Sequence, residues 1–132
     1  MRINQQFYWT VLGGASIVFH IWLIFSGLIP NLVSRPLHML LALPWCLMYG
    51  LHGSSLKIGT LLTVSGIFCC TYIVFNQELL SEQYGYTSSM WQNGFAILLL
   101  TIVLEMARRS IGWPLPCVAL TALFYGIFGQ YL

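Results

Sequence analysis

The sequence predicts an all-α membrane protein: a polytopic bundle of four to five transmembrane helices in a single integral domain over residues 1–132. Three observations predict it. Hydrophobic residues make up 58% of the chain and charged residues 6%, against about 25% charged in soluble domains. Mean hydropathy is +0.81. The apolar residues gather in long runs parted by short polar links, and a spanning helix needs about 20 of them. The length therefore allows four or five spans and no soluble domain. A net charge of +2 is too small for a nucleic-acid-binding surface, so no nucleic-acid partner is expected. What counts is where the positive residues lie.

Segment one covers residues 7–28. Tyr8, Trp9 and Trp22 are rings suited to an interface or to helix packing. Gly13, Gly14, Ala15 and Ser16 form a small-residue patch that lets another backbone approach. The run exceeds the 7–15 residues of a signal-peptide core and no cleavage pattern follows, so a retained span is expected. Segment two covers 36–51, with Pro36 expected as its first helical residue. Pro44 interrupts its hydrogen-bond ladder, and a kinked span and a re-entrant segment both fit. The polar link His52, Gly53, Ser54 and Ser55 leads to segment three, residues 56–75. There Gly59, Thr63 and Gly66 recur at spacings of four and three, a stripe for close helix packing. Residues 76–89 form the longest polar stretch, with Glu78, Glu82 and no positive residue. A short interfacial helix is expected at 77–83. Segments four and five cover 90–107 and 113–132, the last opened by Pro114 and Pro116.

Alternating sides put Arg2, Lys57, Arg108 and Arg109 together, opposite Arg35, Glu78 and Glu82. That bias predicts a cytoplasmic amino terminus, a periplasmic carboxyl terminus and a periplasmic 76–89 loop. The count is cleanest with five spans.

Few residues could carry chemistry. His20 lies at mid-span, where an ionisable group is a functional candidate by default. With no acidic residue inside any span to pair with it, a neutral imidazole bonded to a neighbouring helix is the expectation. His38 and His52 lie near segment ends and read as interface residues. Cys46, Cys69, Cys70 and Cys117 sit in apolar runs without metal-ligand spacing and read as small hydrophobes. No nucleophile–base set, phosphate loop or metal cluster is visible, so no enzyme, cofactor or metal is expected. The remaining charge is concentrated in residues 104–116, where Glu105 precedes Arg108 and Arg109 by three and four residues and can face both. Two readings stand here: a salt-bridged helix end meeting anionic lipid headgroups, and a docking corner for a partner subunit.

Residues 104–116 also carry a family resemblance. Leu104, Glu105, Arg108, Arg109, Gly112, Leu115 and Pro116 reproduce an LE-x-x-RR-x-x-G-x-x-LP pattern. Tyr125, Phe128, Gly129, Tyr131 and Leu132 follow as Y-x-x-FG-x-YL, and Arg35 to His38 read RPLH upstream. The combination resembles the N-terminal part of the fused permeases of tripartite ATP-independent periplasmic (TRAP) transporters, in the subgroup served by TAXI-type binding proteins. The resemblance implies a small, Q-type subunit of the bacterial inner membrane, either encoded apart from its large M-type partner or cut from a fused permease. It further implies that the large subunit holds the substrate and coupling-ion sites, while the small one braces the scaffold and offers part of the docking surface for a periplasmic TAXI-type binding protein. Substrates would be organic acids, dicarboxylates or related carboxylates. Glu105, Arg108, Arg109, Gly112 and Pro116 would form a structural corner contacting the large subunit, and Glu78 and Glu82 would lie near the docked binding protein. From the residues alone, the competing reading is a small autonomous oligomeric transporter or channel. The absence of a membrane-buried carboxylate weighs against it.

Overall fold

The computed structural model describes residues 2–27, 29–49, 53–84, 86 and 89–129, with side chains from residue 6 onward. Six helices follow one another: α1 (Arg2–Ser26), α2 (Asn31–Leu47), α3 (Gly53–Phe75), α4 (Gln77–Glu82), α5 (Met90–Ile111) and α6 (Pro114–Phe128). No strand occurs among the described residues. The five expected segments each form a helix, and α4 is a short helix where one was expected at 77–83. Among the described residues, two helices are long and apolar enough to cross a membrane: Gln6–Ser26 within α1, and α3. At 1.5 Å per residue α3 is about 35 Å long and α2 about 25 Å, against a hydrocarbon thickness of about 30 Å.

Some boundaries differ from the sequence expectation. Helix α2 begins at Asn31, after Pro30, so Pro36 is not its first residue but lies inside it, beside Pro44. Each proline removes one rung of the ladder. The helix continues because tertiary packing holds it: Pro36, Leu43 and Leu47 are all buried. Gly53, Ser54 and Ser55, expected as a link, already belong to α3. His52, the expected end of segment two at Leu51, and the last three residues of segment five lie outside the described residues.

Helix α2 is the hub. The core joins Leu43 and Leu47 of α2 to Ile102 of α5, with Met39, Cys46, Leu62 and Met106 packed around them. The stripe expected on α3 is the seam against α2: Gly59, Thr63 and Gly66 are buried, and a methyl added to Gly66 would lie 2.8 Å from Leu43 Cδ1. Among its described side chains, residues 6–26, helix α1 contributes no buried residue. It is held instead by two ring clusters. Trp9 packs on Trp45 (5.0 Å between centroids) and Tyr49 (5.3 Å), while Phe19 and His20 meet His38 further along. That register makes α1 and α2 antiparallel. Of the small-residue patch, Gly13 faces α2, with Trp45 3.3 Å from where a Cβ would sit, and Ser16 is half-buried. Gly14 and Ala15 are exposed.

Side-chain pairings fix the ends of the bundle. Cys46 and Leu47 of α2 meet Ser110 and Arg109 of α5, so these two helices end together. Phe68 and Tyr72 of α3 meet Phe95 of α5, so these two run antiparallel. Leu80 of α4 lines the same groove as Leu32 at the start of α2. Arg108 and Arg109 therefore mark one end of the bundle, and Arg35, Glu78 and Glu82 the other.

The exterior is apolar. Phe25 is 84% exposed, Trp91 80% and Phe124 62%. Hydroxyls on the helix faces bond their own backbone: Thr60 donates to the Leu56 carbonyl, Thr101 to Ile97 and Thr121 to Cys117, each at 2.8 Å. In a bilayer, where no water is at hand, such internal bonds are required.

Candidate functional site

The densest polar constellation is built where α5 ends. Residues 105, 108 and 109 fall on one face of the helix because three and four residues complete about one turn. Glu105 accepts two hydrogen bonds from Arg108, Nε to Oε2 at 2.7 Å and Nη2 to Oε1 at 2.8 Å. Its Oε1 also accepts from Arg109 Nε at 2.6 Å. The carboxylate raises the Arg108 pKa above its already high ordinary value, through hydrogen bonding first and charge second. Both arginines lie in the last turn of α5, where positive charge complements the helix dipole.

Arg109 then leaves its own helix. Its Nη1 donates to the Leu47 carbonyl of α2 at 3.1 Å. Leu47 ends α2, and the last four carbonyls of a helix have no partner within it. Arg109 caps α2 from α5, while Ser110 Oγ reaches Cys46 Sγ at 3.6 Å. The guanidinium of Arg108 faces outward and lies 5.5 Å from the Trp113 ring, a cation–π contact. One carboxylate thus orients two arginines with different tasks, one tying helices together and one packing over the turn.

The turn depends on Gly112. Its N–H bonds the Arg108 carbonyl at 3.0 Å, with φ 97° and ψ −168°. That region is essentially closed to residues with a Cβ. Space is not the obstacle, since an added Cβ would make only ordinary contact with Pro114 at 3.7 Å. Gly112→Ala is expected to cost about 1–3 kcal/mol through backbone strain alone, measurable as a lower midpoint in an SDS unfolding titration of the full chain in mild micelles. Beyond the turn, Pro114 and Pro116 occupy the first turn of α6, where N–H groups have no intrahelical acceptor and nothing is lost. Pro116 is the buried residue of that helix.

Of the corner residues expected from sequence, Glu105, Arg108, Arg109 and Gly112 are joined by hydrogen bonds, with Leu47, Ser110 and Trp113 added, while Pro116 is buried in the first turn of α6. No spacing rule links residues 47 and 109, so that contact was not legible in the chain.

His20 differs from expectation in its partner. Its Nδ1 bonds the Ser16 carbonyl of its own helix rather than a neighbouring one. With the proton on Nδ1, Nε2 is the acceptor. The ring packs on His38 of α2 with centroids 4.3 Å apart. The pair borders a notch of about 270 Å³ that Asn31 and Ser34 also line. Glu78 and Glu82 are exposed on α4 and, among the described residues, form no ion pair. They share no contact with the corner. Among the described residues no group of three or more His, Cys, Asp and Glu could hold a metal ion. Gln92, not singled out by the sequence reading, is buried to 7% exposure with an unpartnered Oε1.

Comparison of the chain with protein-family models, with curated proteins and with solved structures gave no match.

Proposed function

We propose that the chain is the small, non-catalytic membrane subunit of a TRAP transporter. It is multi-pass in the bacterial inner membrane, with its amino terminus cytoplasmic and its carboxyl terminus periplasmic. It braces the scaffold of a large M-type permease subunit during ion-gradient-driven uptake of organic acids delivered by a periplasmic TAXI-type binding protein. The observation that carries this reading is how the chain uses its charge. The strongest polar cluster, Glu105 with Arg108 and Arg109, ties two helix ends together, and the other two carboxylates lie on α4, outside the long helices. A transport path would place such groups at mid-span. The long helices instead present large apolar side chains outward, α6 along nearly its whole length, a surface suited to lipid and to the helices of a larger subunit.

The test has two arms. Reporter fusions at Ser81 and Leu132 should read periplasmic at both sites, and a cytoplasmic signal at either rejects the topology. The tagged chain, expressed in its own host, should hold a large multi-span permease in constant proportion. Uptake by the chain alone in proteoliposomes would replace the scaffold reading with an autonomous transporter. In the working complex, His20→Ala should leave substrate selectivity unchanged, as competition between organic acids would show. Reversing the charge of Glu78 and Glu82 to lysine should weaken uptake several-fold without dissociating the membrane complex. Unchanged uptake would remove α4 from the docking surface.

A further inference from the structure

A groove of about 520 Å³ runs between α3 and α5, open on one side. Its floor is one face of α5: Gln92, Phe95, Leu99 and Val103 recur at three- and four-residue spacings. Tyr72 of α3 walls it, its ring 4.7 Å from that of Phe95, and Leu80 of α4 lies at the same mouth as Gln92. The lining is apolar except at that mouth. There Gln92 is 93% buried, its Oε1 without a hydrogen-bond partner. An unmet buried carbonyl costs about 1–3 kcal/mol, a cost that an occupant with a donor would remove. The terminal torsion of glutamine is soft, so the amide can turn its oxygen into the groove.

We propose that this groove holds one acyl chain of a phospholipid whose head group carries an N–H or O–H donor, with that donor on Gln92 Oε1. The layout is that of an amphiphile. The polar group sits in the first turn of α5, at the end of the bundle marked by α4, and the apolar stripe continues from it for about 16 Å along the helix. A helix, about 10–12 Å wide, would rest on the groove with most of its bulk outside, whereas a single acyl chain can lie along it. The groove lies in the range of small-ligand pockets, about 300–1,000 Å³. The proposal requires a surrounding bilayer and is independent of any transporter partner.

The experiment places the full-length chain in nanodiscs and measures lipid retained after delipidation by native mass spectrometry. The probes are phosphatidylethanolamine, its N,N-dimethyl form and phosphatidylcholine, all with identical acyl chains. The first two keep an N–H and the third has none, while all three keep the ammonium charge. Wild type should retain the first two about three- to tenfold over phosphatidylcholine, the worth of one hydrogen bond. Gln92→Leu should still hold lipid but lose the preference, and Ala96→Trp, which fills the groove, should hold neither. Equal retention of all three lipids by wild type overturns the proposal without recourse to any variant. So does a preference that survives Gln92→Leu, or a photo-crosslinker at Phe95 that captures a polypeptide instead of lipid. The reporter fusions at Ser81 and Leu132 test the membrane topology separately, so either result can fail alone.

Discussion

Gly66→Leu is expected to force the α2–α3 seam apart and to cost about 3 kcal/mol, the upper end for overpacking. Even the first added carbon would stand 2.8 and 2.9 Å from the two methyls of Leu43. Leu43 is fully buried in the core with Leu47 and Ile102, so its methyls can give way only by disturbing that packing. Gly66→Ala should cost about 1–3 kcal/mol by the same route. The measurement is an SDS unfolding titration followed by tryptophan fluorescence. The control is Gly14→Ala. Nothing lies within 4 Å of its added methyl, and alanine in a helix interior gains about 0.5–1 kcal/mol over glycine. Opposite signs at the two glycines would establish that the seam, and not glycine content, sets stability. Equal losses at both would reject the packing argument. A Gly14→Ala chain that is stable alone yet no longer holds the proposed large subunit would assign the exposed half of the α1 patch to that contact.

Arg109→Leu is the second large effect. It removes the donor that caps α2 at the Leu47 carbonyl and one of the two cations on Glu105. Hydrogen bonds to charged groups contribute about 1.5–3 kcal/mol, and the site is largely shielded, with the Arg109 side chain 18% exposed. The loss should therefore fall in that range, well above that of a surface ion pair. Arg109→Lys should recover only part of it. A single ammonium cannot reproduce the planar fork that holds Glu105 through one nitrogen and Leu47 through another. In a Glu105→Gln background the Arg109→Leu cost should shrink, because the carboxylate aims the guanidinium. Additive costs would mean that Glu105 does not position Arg109.

The boundaries that moved did so for identifiable reasons. Pro36 was expected to open a helix because local sterics favour that position, but the packing that buries Pro36, Leu43 and Leu47 outweighs two missing rungs. His20 satisfies itself on the Ser16 carbonyl one turn back, which leaves its ring free to pack on His38. Gln92 was passed over because a single amide near a helix start carries no periodic signal. Its burial with an unpartnered Oε1 became visible only in the tertiary structure.

By itself the sequence determined the helical class, the presence and order of the long helices, the short α4 helix and the internal geometry of the Glu105, Arg108 and Arg109 cluster. These follow from periods of three and four residues and from runs of apolar side chains, which are local properties of the chain. Only the tertiary structure decided that α2 is the hub, that Gly66 faces Leu43, that Arg109 caps a helix 62 residues away, and that Gln92 opens onto a groove. Such contacts depend on which faces meet. In a chain whose exterior is as apolar as its core, hydrophobicity does not distinguish the face that meets another helix from the face that meets lipid. Small residues and unmet hydrogen bonds mark the difference, and most of them are recognisable only once the neighbouring helix is in place.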